Sequence, residues 1–149
     1  MGVYLITGGA NGLGAEIARK LHGAGNSILF ADIERASLPG VRSVMCDLSD
    51  EAQIASLILG IEAVEGRLDG LVCHPEGDDL TATGKLINAA AALLRQPRGA
   101  AVAVHANGPG ALPVLIRTLA RDLAPDIRVK CFAPFGAEHF TSLAAYLMG

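Results

Sequence analysis

Hydrophobic residues along this chain form six short runs that are apolar at consecutive positions. The runs are VYLIT (3–7), SILFA (27–31), VRSVMC (41–46), GLVC (70–73), AAVAVH (100–105) and IRVKCFA (127–133). A strand with one face in water alternates between apolar and polar residues, whereas a strand covered on both faces is apolar throughout. The pattern therefore predicts six strands buried on both faces of a parallel sheet.

Helical patterns separate these runs. They predict four helices. The first begins at Gly12, the second follows a cap at Ser49 or Asp50, the third begins at Leu86 and the fourth begins at Leu115. The apolar positions that define three buried faces are Leu13, Ile17 and Leu21; Ile54, Leu57, Ile58 and Ile61; and Leu115, Leu119 and Leu123. The acidic run at 76–79 is expected to cap the helix that contains Leu86. A last helix is expected from Ser142 to Met148.

Strand and helix alternate along all 149 residues without a repeat or a linker. This alternation predicts one domain, residues 1–149, of the α/β class. We expect a Rossmann-like doubly wound parallel sheet of about six strands, in the order 3-2-1-4-5-6, with helices on both faces.

Composition narrows the class of partner. The chain is 51% hydrophobic and carries a net charge of -3, which argues against nucleic acid because its binding needs a cationic face. No apolar run approaches the length of a membrane span. The three cysteines, an odd number at unrelated spacings, suggest reduced thiols in a cytosol. We therefore expect a cytoplasmic protein with no nucleic-acid or membrane partner.

The stretch TGGANGLG (7–14) follows the first buried strand and opens a helix. Glycines let a pyrophosphate approach the backbone, and a helix N-terminus attracts negative charge. Asp32 closes the second strand. Its carboxylate can accept hydrogen bonds from both ribose hydroxyls of an adenosine and would repel a 2′-phosphate. The alternative is an ordinary strand-to-helix turn. The context favours a dinucleotide, NAD(H), with its pyrophosphate over Gly12, Leu13 and Gly14.

TGGANGLG also resembles the cofactor loop of the short-chain dehydrogenase/reductase superfamily. Further similar segments are CDL (46–48), RLDGLV (67–72) and LIRTLARDLAP followed by IRVKCFAP (115–134). The resemblance implies that Asp32 selects NAD and that Asp47 contacts adenine. The resemblance and the loop geometry together assign these residues to cofactor binding: Gly8, Asn11, Gly12, Leu13, Gly14, Asp32, Asp47, Leu48 and Cys73.

The departures from this family fall on the catalytic residues. The family uses a Tyr-x-x-x-Lys pair and a Ser, but Tyr4 is followed four residues later by Gly8, and Tyr146 by only three residues. AVAVHAN (101–107) contains no serine, and HANGPG (105–110) resembles a shortened replacement for the active-site loop. The chain therefore resembles a truncated family member that lacks the usual proton relay.

Other residues could supply a proton. His105 and His74 end neighbouring predicted strands, and histidine titrates near neutrality. Asn88 resembles the family's water-holding Asn, although a polar residue on a solvent or packing face is the simpler interpretation. A metal site formed by Cys73, His74, His105 and His139 is disfavoured because no pair has a compact ligand spacing, so we expect no metal.

Three functions remain open from the sequence. The first is an NAD(H)-binding pseudoenzyme or assembly subunit with a degenerate active site. The second is a non-standard NAD-dependent oxidoreductase of a small alcohol or carbonyl, using His105 and Asn88, and the third is a non-redox enzyme that uses the same pocket.

The resemblance also implies a homodimer through the family's fourth and fifth helices. Its candidate contacts are Ala90, Ala91, Leu119 and Leu123.

Overall fold

The computed structural model describes residues 2–8, 13–33, 38–74, 80–97, 99–105, 112–132 and 138–148. Within these ranges the side chains at 13, 80, 105, 112–116, 131 and 138–141 lie outside the description. The strands are β1 (Val3–Thr7), β2 (Ser27–Asp32), β3 (Arg42–Met45), β4 (Gly70–Cys73), β5 (Ala100–His105) and β6 (Ile127–Phe132). The helices are α1 (Leu13–Gly23), α2 (Glu51–Val64), α3 (Leu80–Leu94), α4 (Leu112–Leu123) and α5 (Glu138–Met148).

The strands form one parallel sheet of six strands in the order β3-β2-β1-β4-β5-β6. The predicted order is therefore confirmed. In the register of the sheet, Leu5 of β1 lies between Leu29 of β2 and Leu71 of β4. The chain winds outward from β1 in one direction and then returns to add β4 on its other side, which is the doubly wound arrangement.

Helices cover both faces of the sheet, with α2, α3 and α4 on one side and α1 and α5 on the other. Side chains alternate across a strand, so Leu5 enters the first core and Ile6 the second, and both are completely buried. Burial of each such side chain contributes roughly 1.5–3 kcal/mol. This double coverage explains why β1 is apolar at nearly every position.

β3 does not follow the prediction of burial on both faces. Val44 is 38% exposed and Met45 is 64% exposed, because β3 is the edge strand and pairs only with β2. An edge strand is covered less completely than a central one, and four residues offer little area for a helix to cover. The run VRSVMC thus predicted a strand correctly, but the prediction that this strand is buried on both faces was wrong.

Three helices begin earlier than predicted, among them α5, which begins at Glu138 and not at Ser142. α3 begins at Leu80, six residues before Leu86, and the residues predicted to cap it, 76–79, lie outside the described residues. Threonine and glycine have low helix propensity, but Thr83 is buried, so packing outweighs propensity in this segment. α4 begins at Leu112, before the predicted Leu115, with Pro113 in its first turn, where a missing N–H costs little.

The four proposed dimer contacts lie inside the monomer. Ala90 is completely buried, and Ala91, Leu119 and Leu123 are each at most 7% exposed within the core formed with α2, α3 and α4. Their apolar character is therefore explained by packing within the chain, and their assignment as dimer contacts was wrong. A stripe of alanines and leucines identifies a buried helix face, but the sequence does not show what covers it.

A matched pair of glycine substitutions tests this packing. A methyl group at Gly70 would lie 2.5 Å from Cδ1 of the buried Tyr4 ring, whose hydroxyl donates to the Leu147 carbonyl at 3.3 Å. We expect Gly70→Ala to lower the free energy of unfolding by about 1–3 kcal/mol, as overpacking does. Gly60→Ala, in α2 with no atom within 4 Å of the added methyl, should raise it by about 0.5–1 kcal/mol. Urea denaturation measures both, and equal effects would contradict the packing described.

Candidate functional site

A cavity of about 260 Å³ opens at the carboxyl ends of β1, β2 and β4. This is where the strand order reverses, and ligands of doubly wound sheets bind at such a point. The strand ends contribute Thr7, Gly8, Asp32, Ile33, Cys73 and His74; the segment after β3 contributes Cys46, Asp47, Leu48 and Ser49; and α3 contributes Ala82, Thr83 and Leu86. Four short segments and one helix therefore form its walls.

Gly8 allows β1 and β4 to end close together. Its φ of +75° lies in the region that favours glycine, and an added Cβ would meet the His74 carbonyl oxygen at 2.5 Å. Just before it, the Thr7 carbonyl accepts a hydrogen bond from His74 N at 3.0 Å. The glycine is thus required where the chain leaves the sheet at the start of the cavity.

Asp32 is held by backbone contacts on both sides. Its carboxylate Oδ1 accepts a hydrogen bond from Ile33 N at 2.7 Å, and its carbonyl accepts one from Cys46 N at 2.9 Å. The bond from Cys46 N ties the end of β2 to the segment that follows β3. The carboxylate remains partly exposed on the cavity wall, where it can accept hydrogen bonds from a ligand.

Asp47 forms the second acidic position of the wall. Its Oδ1 accepts hydrogen bonds from Ser49 N at 2.9 Å and from Ser49 Oγ at 2.6 Å. These two bonds, the hydroxyl first, stabilise the charged form and lower the pKa of the Asp47 carboxyl. The wall therefore keeps a fixed negative charge at neutral pH.

Both cysteines of the cavity have thiols with a raised pKa. Burial raises the pKa of the Cys73 thiol to about 12, opposed only by a hydrogen bond with Thr7. Burial, and then the carboxylates of Asp47 and Asp50, also raise the pKa of Cys46. Because the thiolate is the reactive form, both side chains act here as neutral, largely apolar surface.

The structure brings together part of the predicted cofactor set. Gly8, Asp32, Asp47, Leu48 and Cys73 all line the cavity. The glycine loop itself is described only in part: Leu13 is the first residue of α1, Gly14 is buried in its first turn, and Asn11 and Gly12 lie outside the described residues. The role of each in cofactor binding stays a prediction.

The predicted catalytic residues are not brought together in the same way. His74 lines the cavity, with its Nε2 atom buried. The backbone of His105 ends β5, the strand beside β4, and its side chain lies outside the description. Asn88 is exposed on α3 and is not among the residues that line the cavity, because Leu86, Ile87 and Ala90 occupy the face of the helix turned to the core.

The described residues contain no group of three or more His, Cys, Asp or Glu side chains that could hold a metal ion. Several lining residues were not predicted as site residues, Ile33 and Thr83 among them. Ile33 directly follows Asp32, so the position of the acid already implied that its neighbour would reach the rim. Thr83 lies one turn before Leu86 and Ile87 on the buried face of α3, a spacing that could have identified it.

Comparison with known proteins finds similarity to dehydrogenases. A family model described as short chain dehydrogenase matches residues 2–74. The 2-dehydro-3-deoxy-L-rhamnonate dehydrogenase (NAD(+)) of Sphingomonas sp. (strain SKA58) is 29% identical over 76 residues, covering 46% of this chain and 30% of that protein. Erythronolide synthase EryA3 of Saccharopolyspora erythraea is 34% identical over 102 residues, covering 54% of this chain and 3% of the synthase. The chain thus spans less than a third of these two relatives.

Solved structures share the fold over nearly the whole chain. The ligand-free aldohexose dehydrogenase of Thermoplasma acidophilum superposes with a TM-score of 0.75 at 17% identity, covering 89% of this chain and 66% of that one. The Pseudomonas aeruginosa RhlG/NADP active-site complex gives a TM-score of 0.78 at 22% identity, covering 96% of this chain and 76% of that one. The family match over residues 2–74, just under half of the chain, and the fold shared with solved short-chain dehydrogenases support membership of the short-chain dehydrogenase/reductase superfamily.

The Ser49 contacts of Asp47 give a titration that can be measured. Ser49→Ala removes the hydroxyl donor, so the pKa of Asp47 should rise toward its ordinary 3.8. In the native protein these bonds stabilise the fold above pH 3.8, and their contribution is lost as pH falls through the lower folded pKa. NMR titration of carboxyl carbons measures the shift, with the exposed Asp122 as an internal reference. An unchanged Asp47 pKa would show that the hydroxyl does not cause the shift.

Proposed function

We propose that this chain is an NAD(H)-binding protein with a degenerate active site, acting as a cofactor-binding pseudoenzyme or as a subunit of an assembly. The observation that carries the proposal is the cavity at the switch point, with Asp32 on its wall at the end of β2. Family membership implies a nicotinamide dinucleotide as the cofactor. The missing Tyr, Lys and Ser support the degenerate active site.

The residues present fit the adenosine half of such a cofactor. In the proposed arrangement Asp32 accepts the ribose hydroxyls, Asp47 and Leu48 border the adenine, and the N-terminus of α1 with Gly12–Gly14 holds the pyrophosphate. Pockets for drug-sized ligands occupy roughly 300–1,000 Å³. The described cavity, at about 260 Å³, suits part of a dinucleotide rather than the whole molecule.

Charge supports a preference for NAD(H) over NADP(H). Asp32 and Asp47 line the cavity, and among its described lining residues none is a lysine or an arginine that could pair with a 2′-phosphate. The relatives include both kinds: the Sphingomonas dehydrogenase is named for NAD(+), and the RhlG structure is a complex with NADP. The preference therefore rests on this chain's own carboxylates.

Proton transfer is the step for which this chain is poorly equipped. A bound nicotinamide supplies hydride chemistry, and the protein must add orientation and a proton donor or acceptor. Positioned acid–base groups are typically worth ~10²–10⁴-fold in rate. The sequence has no Tyr-x-x-x-Lys, and the Cys73 thiol in the cavity is neutral, with a pKa of about 12. Binding without efficient turnover follows from this set of residues.

A second candidate function is a non-standard oxidoreductase of a small alcohol or carbonyl. It is favoured by His74 at the cavity and by the position of His105 at the end of the neighbouring strand. Asn88, the other residue assigned to this alternative, is exposed on α3, which weakens its part in a proton relay. A non-redox enzyme that uses the same cavity is the third candidate, and no described residue favours it specifically.

We also propose a cytoplasmic location and a homodimer through α3 and α4. None of the described helices is long and apolar enough to cross a membrane. A dimer would have to use the outward faces of these helices, which carry Lys85, Asn88, Arg117 and Arg121, because their apolar faces are already buried. Such an interface would be polar.

Substitution of Asp32 tests the proposed binding mode. Asp32→Ala should weaken NADH binding roughly 10- to 100-fold, because hydrogen bonds to a charged group are lost. It should weaken NADPH binding less, since repulsion of the 2′-phosphate also disappears. Asp122→Ala changes the net charge equally at an exposed position of α4 and serves as the control. Calorimetry that detects no NADH binding to the native protein at millimolar cofactor would refute the function.

Turnover tests the degenerate active site. With NADH or NADPH and a panel of aldehydes and ketones, we expect rates far below ~10 s⁻¹, the enzyme median. Absorbance at the nicotinamide band measures them. Turnover near that median would overturn the pseudoenzyme proposal, and its loss in His105→Ala with cofactor binding retained would favour the oxidoreductase instead.

A further inference from the structure

The side chain of Gln53 connects the two ends of the loop between β3 and α2. Its Oε1 accepts a hydrogen bond from Asp47 N at 2.7 Å, and its Nε2 donates to Asp50 Oδ2 at 3.2 Å. Asp50 is the N-cap of α2 and also accepts from Ala52 N at 2.9 Å. One amide group in the first turn of the helix thus joins the helix cap to the cavity wall.

This arrangement differs from a standard capping box. In that motif the residue three after the N-cap hydrogen-bonds to the N-cap N–H. Here the N–H of Asp50 donates instead to the Asp47 carbonyl at 3.1 Å, and Gln53 reaches past it to Asp47 N. Residues 47–50 are therefore closed into a turn by a backbone bond and by a side chain.

The turn needs a neutral group that can both donate and accept. Asp47 and Asp50 place two carboxylates within four residues. The Gln53 amide satisfies one carboxylate with its N–H and one backbone N–H with its oxygen, and adds no charge. An alanine would provide neither bond, whereas a glutamate would keep the acceptor but lose the donor.

We propose that Gln53 is a positioning residue for the nucleotide site: by holding Asp47 N it fixes the Asp47 carboxylate in the cavity wall and so raises the affinity for the adenine half of the ligand. The inference rests on the proposed nucleotide-binding function. Gln53 itself is exposed and does not line the cavity, so it acts only through the loop. Its contribution to affinity must therefore vanish when Asp47 is removed.

A double-mutant cycle tests this dependence. Calorimetry with ADP-ribose measures the affinity of the native protein, Gln53→Ala, Asp47→Ala and the double variant. Gln53→Ala should weaken binding roughly three- to tenfold, the value of a typical hydrogen bond, but change affinity less than about twofold in the Asp47→Ala background. Gln53→Glu, which keeps the acceptor for Asp47 N, should restore part of the lost affinity.

Gln96→Ala is the matched control. Gln96 is also exposed, two residues beyond the end of α3, and its Nε2 donates to the Ala92 carbonyl of that helix at 3.5 Å. Its substitution should leave ADP-ribose affinity unchanged. Hydrogen exchange supplies a readout independent of ligand: the Asp47 amide should exchange faster in Gln53→Ala and more slowly again in Gln53→Glu.

The outcomes separate this inference from the proposed function. A native protein that binds neither NADH nor ADP-ribose would overturn the function and this role together. Native binding with unchanged affinity in Gln53→Ala would overturn only the role of Gln53. Effects of Gln53→Ala and Asp47→Ala that simply multiply in the double variant would also overturn it, because the two residues would then act independently.

Discussion

β1 lies between β2 and β4, and the rest of the molecule depends on that pairing. Its five residues are all buried, and its hydrogen bonds hold together two halves of the sheet that grow in opposite directions. The cavity exists because the chain leaves β1 toward α1 while β4 ends beside it. Gly8 permits the approach, since any side chain there would collide with the His74 carbonyl.

The chemistry of the cavity follows from what its walls contain. Carboxylates of Asp32 and Asp47 provide hydrogen-bond acceptors and negative charge, while Cys73 provides neutral surface because its burial is complete. These are properties that suit recognition of a ribose and a base. They do not supply the proton relay that short-chain dehydrogenases use, and the sequence contains no Tyr-x-x-x-Lys to supply it elsewhere.

In the segment after β3, exposed side chains hydrogen-bond to a residue that lines the cavity. Asp47 contributes to the cavity and is hydrogen-bonded to the exposed side chains of Ser49 and Gln53; Gln53 also donates to Asp50. Such a turn derives its geometry from local hydrogen bonds rather than from the core. The site therefore combines a rigid strand end, Asp32, with a loop that must be held in place.

The sequence alone determined the alternation of strands and helices, the parallel order and the acid at the end of β2, because double-sided burial and helical periodicity leave direct patterns of apolar residues. It also located Asp47 by its resemblance to the family. Other features were decided by packing between distant segments. The exposure of Val44 and Met45 depends on how far the helices cover the edge strand, and the early start of α3 depends on burial of Thr83. The apolar pattern that includes Ala90 and Leu119 fits either a dimer interface or a hydrophobic core. The tertiary structure places α3 and α4 against the sheet, so these residues lie in the core of the monomer.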